Sequence, residues 1–594
     1  MPNRRKYQGC STYAGVGLLS VLILLWVMQL WKADLRIPFV YFEDALFNGM
    51  LIKGMIDNGW YLYNNFIAIP HGLNISDFPT PDNFPFLIMK LISLVFPNWA
   101  LTINLYFLAT FPLATLTSFY VFRNFQLPYF PSIVAAVLFA FLPYHLLRGE
   151  RHLILSGYYL IPLVVMVALW ISMGNLPLIT HDETKTGFRL AILEFKPFCS
   201  LVICILTASS GIYYAFFACY LLMIGGISAY FSKRRLHCFA ISVILISTIG
   251  VVFMINILPT ILFHFKNGGN PVVAHRAPVE AEFLGMKITQ LFIPIDTHGI
   301  PFIVNLKRKY ADQPLPNEGS EYLGLFGAIG FALLILQLLK RRIDSGDHAI
   351  LLQKLSELNI FAVLLGTIGG VGSLFALLIS PSIRAYNRIS VYIAFLSLFA
   401  FVILLHKIEK EYITSRSRKF IFFGMLGVIL FIGVLDQTPR YLVPHYQQIK
   451  LTYNQDHEFI NRIEANVPRN SMIFQLPFVP FPENPPVHKM EDYDHFRGYL
   501  HSTTLRWSYG AMKGREGDRW LREISTKPPA EFVKTLAATG FSGIYLDRNG
   551  YPDAGKDLEI KLASILDTNP IVSSDNRLLF FNMAEFNKKS KEKL

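Results

Sequence analysis

Apolar segments of membrane-spanning length recur along most of this chain, and they constrain its fold more than any other feature. A helix needs about 20 apolar residues to cross a bilayer. Such segments lie at 14–31, 99–122, 130–147, 153–173, 239–265, 322–339, 360–379, 390–405 and 420–435. A further stretch, 198–231, is long enough for two short helices that meet near TASSGIYY. The pattern therefore predicts a polytopic α-helical membrane protein with about 11 transmembrane helices.

The composition excludes several other classes of protein. Of the 594 residues, 53% are hydrophobic and 16% are charged, which is typical of a membrane protein and not of a soluble enzyme. The net charge is +13, but Lys and Arg are concentrated in short loops between apolar segments, so we predict no nucleic-acid partner. The 5 cysteines lie in or beside apolar segments without zinc-site spacing, which predicts neither a disulfide framework nor structural zinc.

The positive-inside rule orients these segments. The segment NRRK at 3–6 places the N-terminus in the cytoplasm, with 14–31 as an uncleaved first span. Successive basic loops then put loops 32–98 and 266–321, and the C-terminus, on the outer side of what we expect to be a bacterial inner membrane. Segment 84–96 is short and contains Lys90, so we predict that it lies in the interface as an amphipathic helix.

Hydropathy falls after residue 435, which divides the chain into a transmembrane domain, 1–435, and an extracytoplasmic soluble domain, 436–594. The soluble domain contains a helical pattern in HEFINRIEANV and strand-like runs in SMIFQLP and FSGIYLD. These patterns predict a mixed α/β fold. The run QLPFVPFPENPP is followed by more patterned sequence, so we interpret it as a rigid loop within this domain.

Polar residues that hydropathy does not explain fall on the predicted outer side. The acidic pair of FEDALF follows the first span, and PYHLLRGERH places basic residues where the positive-inside rule does not favour them. Charges at span ends are functional-site hypotheses. The third loop also contains Asp296 and His298. The candidate site residues are Glu43, Asp44, His145, Arg148, Arg151, His152, Tyr213, Arg276, Glu282, Arg384 and Arg388.

These residue types suit group transfer from a lipid-linked donor. A phosphate at the membrane surface needs several cationic partners, and the planar arginine fork fits it well. A carboxylate can deprotonate an acceptor hydroxyl or hold a metal that does so. We therefore expect Asp44 and Glu43 to be catalytic and the arginine, histidine and tyrosine residues, with Glu282, to bind substrate. No cofactor is certain, and a divalent metal remains possible.

Each cluster also has a structural interpretation. The acidic pair could begin a helix, and the two histidines of PYHLLRGERH could be hydrogen-bonded within the protein. Arg148 and Arg151 could pair with Glu150 or with anionic lipid. Arg384 and Arg388, one helical turn apart, could extend to the interface. The functional interpretation gains weight because all of these residues share one predicted side.

The layout resembles the GT-C glycosyltransferase superfamily: many spans, a first external loop with an acidic motif, and often a soluble C-terminal domain. FEDALF occupies the place of that motif. The resemblance implies a polyprenyl-phosphate-linked sugar donor, Asp44 as the base, and Glu43 as its partner or alternate. PYHLLRGERH, SIRAYNR and TLRWSYGAMKGR look like segments of bacterial membrane proteins labelled glycosyltransferases or sugar translocases. The chain lacks a WWDYG-type signature, which argues against transfer to asparagine.

Two functions follow from these observations. The first is a membrane glycosyltransferase that moves a sugar from a polyprenyl-phosphate donor to a lipid or glycan acceptor on the periplasmic or exoplasmic face. The second is a lipid-linked sugar flippase or a non-catalytic assembly factor for cell-surface polysaccharide. Transporters place polar groups near the bilayer midplane and often contain repeats. Here the charges lie at span ends and the sequence shows no repeat, which favours the enzyme.

Overall fold

The protein is described by a computed structural model that covers residues 2–176, 179–181, 188–190, 194–233, 236–295, 304–305, 308–309, 319–340 and 346–591. In these residues, 7 helices are long and apolar enough to cross a membrane, and further apolar helices are shorter. A small sheet with flanking helices follows the helical bundle. The predicted fold class, a polytopic helical membrane protein with a C-terminal α/β region, is confirmed.

The helices of the first half alternate between long spans and short segments near the loops. They are α1 (Pro2–Val27), α2 (Asp44–Asn58), α3 (Asn83–Val95), α4 (Trp99–Asn124), α5 (Tyr129–Ala140), α6 (Pro143–Arg148), α7 (Leu153–Ser156), α8 (Ile161–Ser172), α9 (Phe195–Ala208), α10 (Ile212–Lys233), α11 (Leu236–Asn256), α12 (Leu258–Asn267) and α13 (Glu280–Phe283). Two short hairpins accompany them: β1 (Tyr63–Asn64) with β2 (Leu73–Asn74), and β3 (Ile179–His181) with β4 (Phe188–Leu190).

The second half of the bundle consists of α14 (Leu325–Leu338), α15 (Asp347–Gly366), α16 (Val371–Leu378), α17 (Ser390–Tyr412) and α18 (Arg416–Gln437). Helix α17 packs against α14, α15 and α5 and is buried along most of its length. Aromatic contacts reinforce this centre: Phe122 of α4 stacks on Phe395 of α17 with ring centroids 5.3 Å apart. The bundle is therefore organised around α17.

The predicted split of segment 198–231 is confirmed, because α9 ends at Ala208 and α10 begins at Ile212. Gly211 lies between them with φ +110°, a conformation that favours glycine. Helix α3 corresponds to segment 84–96, with Phe86 and Met89 buried and Leu91 and Leu94 exposed. The helix is thus amphipathic, as predicted, and its place in the interface stays a prediction.

The predicted span at 360–379 is wrong in its boundaries. The spanning helix there is α15, and the apolar residues after Gly366 form the separate helix α16. The first half of α15 contains polar residues, which lowered its hydropathy in the sequence. Two of them, Lys354 and Ser356, are buried inside the protein, and Lys354 donates hydrogen bonds to Ser228 and Ser232 of α10 at 2.8 and 2.9 Å.

Five strands and six helices, all after residue 437, form the C-terminal region of the structure. They are α19 (Tyr446–Asn466), β5 (Met472–Leu476), α20 (Phe496–His501), β6 (Arg506–Trp507), α21 (Glu516–Ser525), α22 (Pro529–Thr539), β7 (Phe541–Asp547), α23 (Lys556–Leu566), β8 (Ile571–Val572), β9 (Leu578–Asn582) and α24 (Ala584–Lys591). The sheet has the order β6-β5-β7-β9-β8, in which β5 is parallel to β6 and β7 and the β7–β9 and β9–β8 pairs are antiparallel.

The C-terminal region is joined closely to loop 32–98. Main-chain hydrogen bonds link Trp507 N–H to Phe66 at 2.7 Å and Ala68 N–H to Tyr509 at 2.9 Å. The buried Arg497 guanidinium donates to the Tyr41 carbonyl at 2.9 Å and forms an ion pair with Asp456 at 2.9 Å. The domain boundary at residues 435 and 436 stays a prediction, and these contacts join the first loop and the C-terminal region into a single packed unit.

Candidate active site

Helix α2 begins at Asp44, and the residue before it has an unusual backbone conformation. Glu43 is the N-cap and has φ +48° and ψ −137°, a conformation that non-glycine residues rarely adopt. Strain of this kind persists where the surrounding structure fixes it, often at functional sites. Gly49 lets α2 lie close to its neighbours, since a Cβ there would be 3.0 Å from Trp99 and 3.2 Å from Leu500. Helix α2 therefore holds the acidic pair on a rigid support.

The acidic pair contacts the turn that follows α6. Glu43 forms an ion pair with Arg151, and Asp44 Oδ2 lies 3.4 Å from His152 Nδ1. Asn48, one turn further along α2, donates hydrogen bonds to the carbonyls of Glu150 and Arg151 at 2.9 and 3.1 Å. The two halves of the predicted site, FEDALF and the basic turn, are thus held together in the structure.

Asp44 is the carboxylate at the centre of this group. Partial burial raises its pKa to about 6; Arg151 and Arg388 oppose the rise, and Glu43 and Glu483 add to it. The side chain keeps 45% of its surface exposed, so a substrate can reach the carboxylate. A carboxyl group with a pKa near neutrality can accept a proton and release it again under physiological conditions.

Two further arginines lie beside this group. Arg148 is buried and donates to the Ser320 hydroxyl at 3.0 Å, and its guanidinium lies 4.9 Å from the centre of the Tyr144 ring. The Arg388 guanidinium lies 4.3 Å from the centre of the Tyr213 ring, at the junction of α9 and α10. The structure therefore brings the α9–α10 junction and the segment before α17 to the same end of the bundle as Asp44.

A second charged cluster connects loop 266–295, the segment before α17 and the C-terminal region. Arg276 forms an ion pair with Glu483 at 2.6 Å. Arg384 forms an ion pair with Glu280, and its second nitrogen lies 3.8 Å from the same Glu483 carboxylate. Burial alone would raise the pKa of Glu280, but Arg384 lowers it below the ordinary value. The cluster thus holds two arginines around Glu483, whose charge acts on Asp44.

His145 and Glu282, two of the predicted binding residues, have structural positions. His145 is fully buried and stacks on Phe111 with ring centroids 3.7 Å apart. Its two ring nitrogens lie 2.7 Å from the Thr110 hydroxyl and 2.8 Å from the Ala140 carbonyl. Glu282 accepts a hydrogen bond from Gly369 N–H at 2.9 Å and so fixes the turn after α15. We therefore leave both out of the proposed binding set. Asp296 and His298 lie outside the described residues.

Sequence reasoning missed the acidic residues that the C-terminal region contributes, Glu483 and Asp492, whereas Lys513 lies in the segment TLRWSYGAMKGR that the sequence singles out. Glu483, Asp492 and Lys513 all lie near Asp44 or its arginines. Burial raises the pKa of Asp492 to about 7, two N–H groups oppose this rise, and Asp44 adds to it. The available signal was the proline-rich run QLPFVPFPENPP, which contains Glu483; a rigid polar loop of this kind is suited to a site.

The described residues contain no group of three or more His, Cys, Asp or Glu side chains that could hold a metal ion. Glu150, next to Arg151, instead accepts a hydrogen bond from Val40 N–H at 3.0 Å. Burial raises the pKa of Glu150 to about 8, which favours its protonated form. Among the described residues, we assign the proton transfer to Asp44.

The architecture is similar to that of solved membrane enzymes. The arabinofuranosyltransferase AftD from Mycobacteria superposes with a TM-score of 0.51 at 12% identity, over 96% of this chain and 40% of that protein. This chain therefore spans well under half the length of AftD. ArnT from Cupriavidus metallidurans, bound to undecaprenyl phosphate, gives a TM-score of 0.48 at 11% identity, over 97% of this chain and 98% of ArnT. The fold is GT-C-like, as the sequence predicts.

No curated protein matches this sequence. A protein-family model, described as a domain of unknown function (DUF6311), matches residues 62–394. The matched region contains the basic turn after α6, the α9–α10 junction and the arginines before α17, and it begins after Glu43 and Asp44. Since the match covers more than half of the chain, the protein belongs to the DUF6311 family.

Proposed function

We propose that this protein is a membrane glycosyltransferase that moves a sugar from a polyprenyl-phosphate donor to a hydroxyl of a lipid or glycan acceptor. The observation that carries the proposal is the position of Asp44. Its carboxylate begins α2, lies 3.4 Å from His152, is partly exposed, and has arginines nearby. The GT-C-like fold, which is that of an arabinofuranosyltransferase among others, supports this reaction class.

In the proposed reaction, Asp44 accepts the proton of the acceptor hydroxyl while that oxygen attacks the anomeric carbon of the donor sugar. The bond between this carbon and the phosphate oxygen breaks, and the polyprenyl phosphate leaves with the electron pair. Direct displacement inverts the anomeric configuration. Glu43 and Arg151 form an ion pair beside Asp44 that fixes the start of α2 and the basic turn. His152 contacts the Asp44 carboxylate and orients it.

The leaving phosphate requires cationic partners. Arg388 is one candidate, because its charge acts on Asp44. Arg276 and Arg384 form the second group. Arg148 is buried and donates to Ser320, and we assign it a positioning role. Tyr213 supports the Arg388 guanidinium with its ring. We place this site on the periplasmic face of a bacterial inner membrane, with the N-terminus in the cytoplasm.

Labelled donor distinguishes this function from a flippase. Vesicles that contain the purified protein are given a polyprenyl-phosphate sugar labelled in the sugar, together with an envelope extract as the source of acceptor. We expect the label to move into a new product and free polyprenyl phosphate to appear in equal amount. The opposite result would be that intact donor crosses the bilayer and that no extract causes donor to be consumed. That result would contradict the transferase and support the flippase.

A further inference from the structure

The C-terminal region places a carboxylate between two arginines at the edge of the site. Glu483 Oε1 lies 2.6 Å from Arg276 Nη2 and 3.8 Å from Arg384 Nη2. All three side chains remain partly accessible: Glu483 keeps 34% of its surface exposed, Arg276 19% and Arg384 31%. One terminal nitrogen of each arginine faces the same oxygen, while the other terminal nitrogen of Arg384 pairs with Glu280. Two arginines that face one anionic oxygen resemble the arrangement that binds a phosphate group.

The backbone of Glu483 is fixed, so only its side chain is free to change position. Its N–H donates to the Tyr493 hydroxyl at 3.2 Å, and its carbonyl accepts from Lys513 Nζ at 2.8 Å. Lys513 N–H also donates to the Phe481 carbonyl at 2.7 Å, which holds the neighbouring residues. Glu483 has φ +54°, a strained conformation for a non-glycine residue that these contacts maintain.

We propose that Glu483 is a built-in competing anion: it occupies the Arg276–Arg384 pair in the substrate-free protein, and a phosphate group displaces its side chain when it binds there. The inference rests on the proposed function for the identity of that phosphate, the polyprenyl phosphate of the donor. Lys513 supplies a third positive charge at the same place once the carboxylate has moved. The C-terminal region thereby tunes the affinity of the site for its lipid.

The alternative is that Glu483 only fastens the C-terminal region to loop 266–295. The two interpretations predict opposite effects of removing the charge. A competing anion weakens phosphate binding, so Glu483→Gln should strengthen it. A fastening contact supports the geometry of the arginines, so its loss should weaken binding or leave it unchanged.

The test measures the Kd of the full chain in detergent for undecaprenyl phosphate, with undecaprenol and inorganic phosphate as further probes. We expect Glu483→Gln to lower the Kd for undecaprenyl phosphate about tenfold, the size of one charged hydrogen bond. Glu491→Gln, which removes an exposed charge from the same segment, should leave the Kd unchanged. Undecaprenol should bind more weakly to all variants and show no dependence on Glu483.

An unchanged or higher Kd for Glu483→Gln would overturn the inference, provided that size-exclusion chromatography shows the variant to be folded. If Glu483→Gln does not fold, Glu483→Ser serves as a second variant. If Glu483→Gln changes the Kd for inorganic phosphate but not the Kd for undecaprenyl phosphate, the assignment to the lipid is overturned. Free phosphate would then be the ligand of the arginine pair. Failure of the proposed reaction is distinguishable, because the Kd measurement needs no transfer. Conversely, sugar transfer could depend on Asp44 while Glu483→Gln leaves the Kd unchanged. In that case only the inference about Glu483 would be rejected.

Discussion

Asp44 occupies a helix N-terminus, where the helix dipole favours a negative charge, and yet its pKa lies above the ordinary value. Partial burial outweighs the dipole, and the nearby carboxylates Glu43 and Glu483 add to the effect. The sequence alone identified Asp44 and Glu43 as adjacent acids. It could not reveal the pKa, because one of the responsible carboxylates comes from a residue more than 400 positions away in the chain.

The raised pKa of Asp44 predicts the pH dependence of transfer. A base acts in its ionised form, so activity is present above the pKa of about 6 and is lost as the pH falls through it. The donor is a phosphodiester and does not titrate in this range. We expect kcat/KM to fall about tenfold per pH unit below that midpoint, measured as initial transfer rates.

Removing a neighbouring negative charge provides the control for this pH profile. Glu43→Gln should move the midpoint toward lower pH, because Glu43 raises the pKa of Asp44. A midpoint near 3.8, the ordinary pKa of an aspartate, would contradict the assignment of the titrating group to the partly buried Asp44.

At the scale of elements, the relative positions of the helices depend on close packing, which hydropathy does not reveal. Gly330 of α14 faces α17 so closely that an added Cβ would lie 1.9 Å from the Ser397 carbonyl oxygen. The backbones therefore approach each other directly, as small residues allow in membrane helices. Because α17 is the central helix, this contact sets the position of the segment before it, which includes Arg384 and Arg388.

Gly330→Ala should therefore destabilise the protein by about 1–3 kcal/mol, the usual cost of overpacking. Thermal unfolding of the purified protein in detergent measures the effect. Gly427→Ala in α18 is the matched control, because no atom lies within 4 Å of its added Cβ, and it should be neutral or slightly stabilising. Equal stability of the two variants would contradict the close packing of α14 on α17.

Predictability from sequence also differs among the elements. The split between α9 and α10 could be predicted because polar residues and glycine interrupt an apolar run. The start of α15 could not be predicted, because Lys354 is buried and bonded to residues of α10, and hydropathy takes no account of such partners. His145 was placed in the site because its neighbours are charged, whereas the hydrogen bonds that make it structural come from α4 and α5.

At the scale of the whole molecule, the site is assembled from segments far apart in the sequence. Asp44 comes from the first loop, Arg151 and His152 from the turn after α6, and Arg388 from the segment before α17. Their convergence at one end of the bundle agrees with the shared side that the sequence predicts, while the absolute orientation in the membrane stays a prediction. The contribution of Glu483 and Asp492 was not predictable, because main-chain contacts to loop 32–98 bring the C-terminal region to the site.

The central claim is that Asp44 is the base of a sugar-transfer reaction, and one comparison tests it most directly. Initial transfer rates from a labelled polyprenyl-phosphate sugar are measured for Asp44→Asn and for Asp34→Asn, which removes an exposed carboxylate from the same loop. We expect Asp44→Asn to lose at least about 100-fold in rate, the usual contribution of a general base, and Asp34→Asn to retain the wild-type rate. Equal product from both variants would contradict the account.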